Sequence, residues 1–282
     1  MTEKIKDIEN LENARKRIKD KGAKLSNLLI HVGIDYINKI AGTIEVKDFT
    51  GLRDSISFRI SSAIFHQELM LLHRNESILV VNREYRKGEK SRHNIDVLNH
   101  LQKVVYEQFI VLEDVIYSLT SVFDYFGNMV EYTLGGDKRK KRKWNSLVKL
   151  IRGQPDFQKH DISNKIISFH IDFVDRLHEY RSHLIHFKEE IGDFTITEDL
   201  NDGNWKLEIF GGTKMVKSFP ELRKYGKEHK LTIDYITFWI INKTLDCITE
   251  LILALQRDIE KNRIISSNEE IISWPKQIDE EE

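Results

Sequence analysis

The sequence predicts a mainly α-helical protein, an antiparallel helical bundle with one inserted β-hairpin and an N-terminal helical extension. Three observations lead there. Apolar residues recur at spacings of three and four over most of the chain, proline occurs only at 155, 220 and 275, between periodic segments, and the period switches to two in one short stretch. Composition agrees with a globular chain, since 40% hydrophobic and 32% charged residues among 282 supply both a sizeable core and charged outer faces.

Residues 3 to 31 and 52 to 74 each read as a helix, the second carrying Leu52, Ile56, Arg59, Ala63 and Leu71. The charged run Arg83, Glu84, Arg86, Lys87, Gly88, Glu89 and Lys90 then marks a boundary. It separates an N-terminal helical segment, 1–90, from a helical domain, 91–265, which a tail, 266–282, follows. The strongest helix opens that domain. Its apolar residues are Leu98, Leu101, Val105, Phe109, Leu112, Ile116, Leu119, Phe123, Phe126, Val130 and Leu134, ten steps over 36 residues or 3.6 per step. Gly135-Gly136 stops it, and Lys138, Arg139, Lys140, Lys141, Arg142 and Lys143 form a basic loop. A shorter helix from Trp144 to Ile151 ends at Gly153-Gln154-Pro155.

A second long helix spans Ser163 to Lys188, with Ile166, Phe169, Phe173, Leu177, Tyr180 and Leu184 as its stripe, and is expected to pack antiparallel to the first. Phe194 and Ile196 then alternate with threonines, Asn201 to Asn204 make a turn, and Trp205, Leu207 and Ile209 alternate with Lys206 and Glu208. This is a hairpin within 193–211. A last helix runs from Thr232 to Asn262 through Ile236, Ile240, Cys247, Leu251, Leu255 and Ile259, and the acidic end, Asp279 to Glu282, is expected to fray. Trp205 and Trp239 read as packing residues.

Forty-four basic and 45 acidic side chains give a net charge of −1, so any nucleic-acid contact has to be local. The single cysteine, Cys247, excludes an intrachain disulfide and reads as a buried, inert thiol in a reducing compartment. Residues 1 to 20 are charged throughout and lack the apolar run of an export signal, and no apolar stretch approaches the ~20 residues that cross a bilayer. A cytoplasmic protein with no membrane association is expected.

One segment carries chemistry. Tyr180-Arg181-Ser182-His183-Leu184-Ile185-His186 places an arginine and, after four residues, a histidine late in an amphipathic helix. This resembles the HEPN superfamily, whose four-helix core carries an Arg, four to six residues and a His late in one helix. The resemblance covers residues 95 to 260, including Phe123-Asp124-Tyr125-Phe126-Gly127-Asn128 on the preceding long helix, and leaves the first ninety residues unexplained. It implies a metal-independent endoribonuclease that works as a homodimer, with RNA as substrate and neither metal nor other cofactor. It further implies service in a toxin–antitoxin or phage-defence system, with an antitoxin or other regulatory protein as partner. Arg181 and His186 would be the catalytic pair, with Ser182, His183, Asp124 and Asn128 in support. Two positions depart from common variants of the pattern: Ser182 stands where a polar Asn, Asp or His follows the Arg, and Lys188 where a Tyr lies two residues after the His.

The same roles follow from the side chains. RNA supplies its own nucleophile, the 2′-hydroxyl, so cleavage needs a group that moves a proton and a cation that stabilises charge on the phosphate. An imidazole, which ordinarily titrates near neutrality, suits the first role, and a guanidinium that binds two phosphate oxygens suits the second. At 100° per residue, positions 181 and 186 lie about 140° apart around the axis, so one helix makes an incomplete site. A two-fold pair of such helices would complete it.

Plainer readings stand beside these. Arg181 and His186 also fit a solvated helix end, where basic residues suit the macrodipole. Lys138 to Lys143 fit either a phosphate grip or a solvated loop. A non-catalytic scaffold that binds RNA, a nucleotide or a partner protein through the same groove is the alternative function. Glu179, His183 and His186, at i, i+4 and i+7, also offer three ligands for a metal-dependent hydrolase.

Overall fold

The computed structural model describes residues 8–39, 43–85, 95–134, 142–187, 193–198, 203–225 and 231–261. Ten helices occur among them: α1 (Ile8–Lys39), α2 (Thr43–Tyr85), α3 (Ile95–Leu134), α4 (Trp144–Gly153), α5 (Pro155–Gln158), α6 (Asp161–Phe169), α7 (Asp175–Phe187), α8 (Thr213–Ser218), α9 (Pro220–Tyr225) and α10 (Ile233–Glu260). A π-helical turn, His170–Val174, joins α6 to α7. Strands β1 (Phe194–Glu198) and β2 (Trp205–Ile209) pair antiparallel, with Phe194 opposite Ile209 and Ile196 opposite Leu207. The fold is mainly α with an inserted hairpin, as the periodicities predict, and among the described residues no helix is long and apolar enough to cross a membrane.

The long helices differ from expectation mostly at their ends. α1 continues to Lys39 rather than 31, because Val32 and Tyr36 extend the buried line of Leu25 and Leu29 past the polar-looking His31 and Gly33. α2 is 43 residues long and includes Arg83 to Tyr85 of the expected boundary, and residues 86–94 lie outside the described ones. Its inward line contains buried Gln67 and Ser77, which interrupt the apolar pattern in sequence without interrupting the helix. The motif-bearing stretch is helical from Asp161 to Phe187, and its π turn adds a residue to one turn, shifting the face that follows. Pro155 and Pro220 begin helices, where a missing N–H costs nothing.

The chain forms two compact units, each assembled from three separated stretches. Unit 2 comprises 23–58, 121–172 and 245–282. Its core includes Phe123, Phe126, Trp144, Ile162, Ile166, Leu251 and Leu255, all essentially inaccessible. Tyr36 stacks on Phe49, with ring centres 3.8 Å apart. Asp258, on α10, fixes the start of α6: its carboxylate accepts the N–H of Ile162 at 3.0 Å and of Asp161 at 3.3 Å, with His160 Nδ1 3.8 Å away. These are donors that a helix's first turn leaves without intrahelical partners.

Unit 1 comprises 1–22, 59–120 and 173–244. Phe173, Tyr180, Phe219 and Trp239 form an aromatic cluster with edge-to-face and tilted pairs between 5.7 and 6.0 Å. Asn82 clamps the hairpin by accepting the N–H of Trp205 at 2.7 Å and donating to its carbonyl at 3.1 Å, while the indole packs on Tyr85. Arg74 pairs with buried Asp234, whose carboxyl burial pushes up against the opposing pull of that guanidinium. Gln108 donates to the Met70 carbonyl at 2.7 Å, joining α3 to α2.

The Asp258 carboxyl sits below the ordinary carboxylate range: burial alone would raise it, and hydrogen bonding from His160 and the Ile162 and Asp161 N–H groups more than offsets that. A depressed folded pKa stabilises fully above the unfolded value of about 3.9, and that stability is lost as pH falls through the folded value. Asp258→Ala is expected to cost about 2 kcal/mol in urea unfolding at pH 7, with the gap to wild type closing in acid. A gap of constant size down to acid unfolding counts against this role.

Candidate functional site

In α7, Leu177 and Tyr180 are buried and fix which side faces the core of unit 1. Arg181, next in sequence, is half-buried. Its guanidinium carbon lies 4.7 Å from the centre of the Tyr117 ring on α3, and its Nε is enclosed without a hydrogen-bond acceptor. Among the described residues no carboxylate comes within ion-pairing reach of it. Arg59, from α2, holds its own guanidinium carbon 5.1 Å from the same ring centre. Two cations from helices distant in sequence therefore share one aromatic ring, a geometry in which the ring quadrupole attracts each cation while the cations repel each other.

Ser182 and His186 are exposed, and His183 is half-buried. Between the two motif residues, Ile185 is 46% exposed. His186 occupies the last turn of α7. The helical rotation of about 140° from Arg181 separates the two side chains around the axis, so Arg181 is brought together with Tyr117 and Arg59 rather than with His186.

No family model, no curated protein and no solved structure matches this chain.

Asp124 and Asn128 belong to unit 2, where they seat the chain that enters α4. Asp124 Oδ1 accepts the N–H of Trp144 at 3.0 Å, and Asn128 Oδ1 accepts the N–H of Arg142 at 2.7 Å. Gly127 lies between them. A Cβ there would stand 3.3 Å from the Arg142 carbonyl oxygen, so the bare glycine lets this segment cross close to α3. Of the basic run, Lys138 to Lys141 lie outside the described residues. Arg142 is engaged inward, its Nε 2.6 Å from Glu131, whose side chain is only 2% exposed, while Lys143 is exposed. Among the described residues no group of three or more His, Cys, Asp or Glu, the set Glu179, His183 and His186 included, is placed to hold a metal ion.

Around Tyr117 the two neighbouring helices carry further polar groups. His66 Nδ1 is 2.8 Å from the Ser62 carbonyl oxygen, its Nε2 lies 3.7 Å from Asp114, and Ser118 donates to the Ser62 hydroxyl at 3.2 Å. The sequence signal for this surface was available: Tyr106, Ile110 and Tyr117 fall off the buried stripe of α3 at helical spacing, and all three are exposed. On the outer side of α2, exposed Phe65, Leu72 and Leu79 follow one another at seven-residue spacing.

The Arg142 to Glu131 pair separates folding from binding. Arg142→Ala leaves an enclosed carboxylate without its cation and is expected to cost about 3 kcal/mol in urea or thermal unfolding. Lys143→Ala is expected to change stability by no more than about 0.5 kcal/mol. An Arg142→Ala protein as stable as wild type would instead make that arginine a free surface cation.

Proposed function

We propose that the protein is a metal-independent endoribonuclease of HEPN type, an effector of toxin or phage-defence kind, acting as a homodimer. The observation that carries this reading is Arg181 itself, a cation that a neutral ring positions and no carboxylate neutralises among the described residues, on the same helix as an exposed histidine. In the reaction the RNA 2′-hydroxyl attacks the adjacent phosphorus and the bond to the 5′ oxygen breaks. A base removes the 2′ proton and an acid protonates the departing oxygen. His186 serves as that proton carrier and Arg181 binds the phosphate oxygens, whose charge rises in the transition state. The products are a 2′,3′-cyclic phosphate and a 5′-hydroxyl.

The divergence of Arg181 and His186 around one helix calls for a second copy, whose histidine faces the first copy's arginine across a two-fold axis. Exposed Ile185, between them, supplies apolar surface for such a contact. That same divergence favours the second reading: in a monomer the binding cation remains but the proton carrier points elsewhere, which leaves a scaffold that binds RNA, a nucleotide or a protein without cleaving. RNA and an antitoxin-like regulator are the partners that belong to the nuclease reading.

Incubation of the purified protein with RNA in EDTA is expected to give cleavage, and His186→Ala to reduce the rate about 100-fold or more. A broad RNA panel left intact by wild type selects the scaffold.

A further inference from the structure

α2 presents two apolar lines. One turns inward through Ala63, Met70 and Val81, with Gln67 and Ser77 between them, and is buried. The other is open: Phe58, Phe65, Leu72 and Leu79 are 65%, 63%, 53% and 70% exposed. They follow one another at strict seven-residue spacing, so three steps drift only about 60° around a straight helix and the line stays on one side of α2. Single exposed apolar residues are ordinary, but four large ones on one line over about six turns form the kind of seam that a helix shows to another helix.

The order of the side chains says which helix. Reversed about a point midway between Glu68 and Leu69, the line matches itself: Phe58 stands opposite Leu79 and Phe65 opposite Leu72, so an aromatic ring meets a smaller aliphatic side chain at every step. The charges at its ends reverse in the same register. Asp54 meets Arg83 and Arg53 meets Glu84, opposite signs in both cases. Within one chain Arg53 pairs with Asp54 at 2.8 Å and Arg83 with Glu84 at 3.2 Å, and Asp54 and Arg83 are 67% and 69% exposed. Pairs with so open a member contribute little, and are readily exchanged for pairs across an interface. A foreign helix has no need of this reversal symmetry, whereas a second copy on a two-fold axis requires it.

We infer that the outer line of α2 docks on the same line of a second copy of the chain, antiparallel, with Phe65 against Leu72 at its centre. This pairing does not depend on the nuclease reading: it uses α2 alone, and a chain that also pairs through α7 assembles as a tetramer.

Light scattering of the full chain during size-exclusion chromatography tests the pairing, and cross-linking tests its register. Wild type is expected at the mass of two copies, or of four where α7 pairs as well. Leu72→Glu, at an exposed position, is expected to halve that mass while its circular dichroism stays that of wild type. Asp54→Arg is expected to raise the dissociation constant about tenfold, and Asp54→Arg combined with Arg83→Asp to restore it. In this register Ser61 and Glu76, both exposed, face each other across the two-fold axis. A chain carrying Ser61→Cys and Glu76→Cys is expected to oxidise to a covalent dimer under diamide, while Cys247 stays buried. Either substitution alone is expected to give none, because the two copies of one position stand about 22 Å apart along the helix. A monomeric wild type overturns the inference, whatever else covers the line. A folded Leu72→Glu protein of unchanged mass overturns it too, as does a doubly substituted chain that yields no covalent dimer. If Leu72→Glu is unfolded, the charge exchange and the cross-link decide.

Discussion

The enclosure of α3 is the constraint on which the rest depends. From Ser118 to Phe123 six consecutive residues are buried, so no single amphipathic face exists there. A helix in this position admits polar groups only where a partner is waiting. Gln108 meets the Met70 carbonyl, Ser118 meets Ser62, and Asp124 and Asn128 meet the backbone entering α4. Glu131 meets Arg142. Each of these pairs fixes one neighbouring segment against α3, and each replaces hydration that burial removes.

Tyr117 sits one residue before this enclosed stretch and remains partly exposed. Its position explains why two arginines gather there. A ring accepts a cation on its face without cancelling its charge, whereas a carboxylate would neutralise it. Arg181 is thus ordered but still able to receive an anion. Arg142, by contrast, has spent its charge on a buried glutamate. The difference between these two arginines lies in what stands opposite them, a neutral ring in one case and a buried carboxylate in the other.

Much of the fold is legible in the sequence because its signals are repetitive. The 3.6-residue spacing of α3, the alternation of the hairpin and the glycine and proline stops each depend on local patterns. The ends of α1 and α2 were less legible: Ser77 occupies an inward position of α2 beyond the expected end at 74, and only tertiary burial shows that the helix passes through it. Short helices α8 and α9 lack the length to show a period. At the site, the arginine and histidine are readable as a spacing, but Arg59 and Tyr117 lie 122 and 64 positions before Arg181 and have no local pattern that links them. Asp124 and Asn128 read as polar residues on the long helix, and their role in seating α4 depends on a chain crossing that only Gly127 hints at.

The central claim is that the Arg181 guanidinium is held on an aromatic ring and left free for a phosphate. Side-chain NMR of protein labelled with ¹⁵N-arginine observes that group directly. In the free protein the Arg181 Nε–H signal is expected to show a ring-current displacement that Tyr117→Leu abolishes, and a single-stranded RNA in EDTA is expected to move it further. A signal indifferent to both the ring and the RNA would contradict the account.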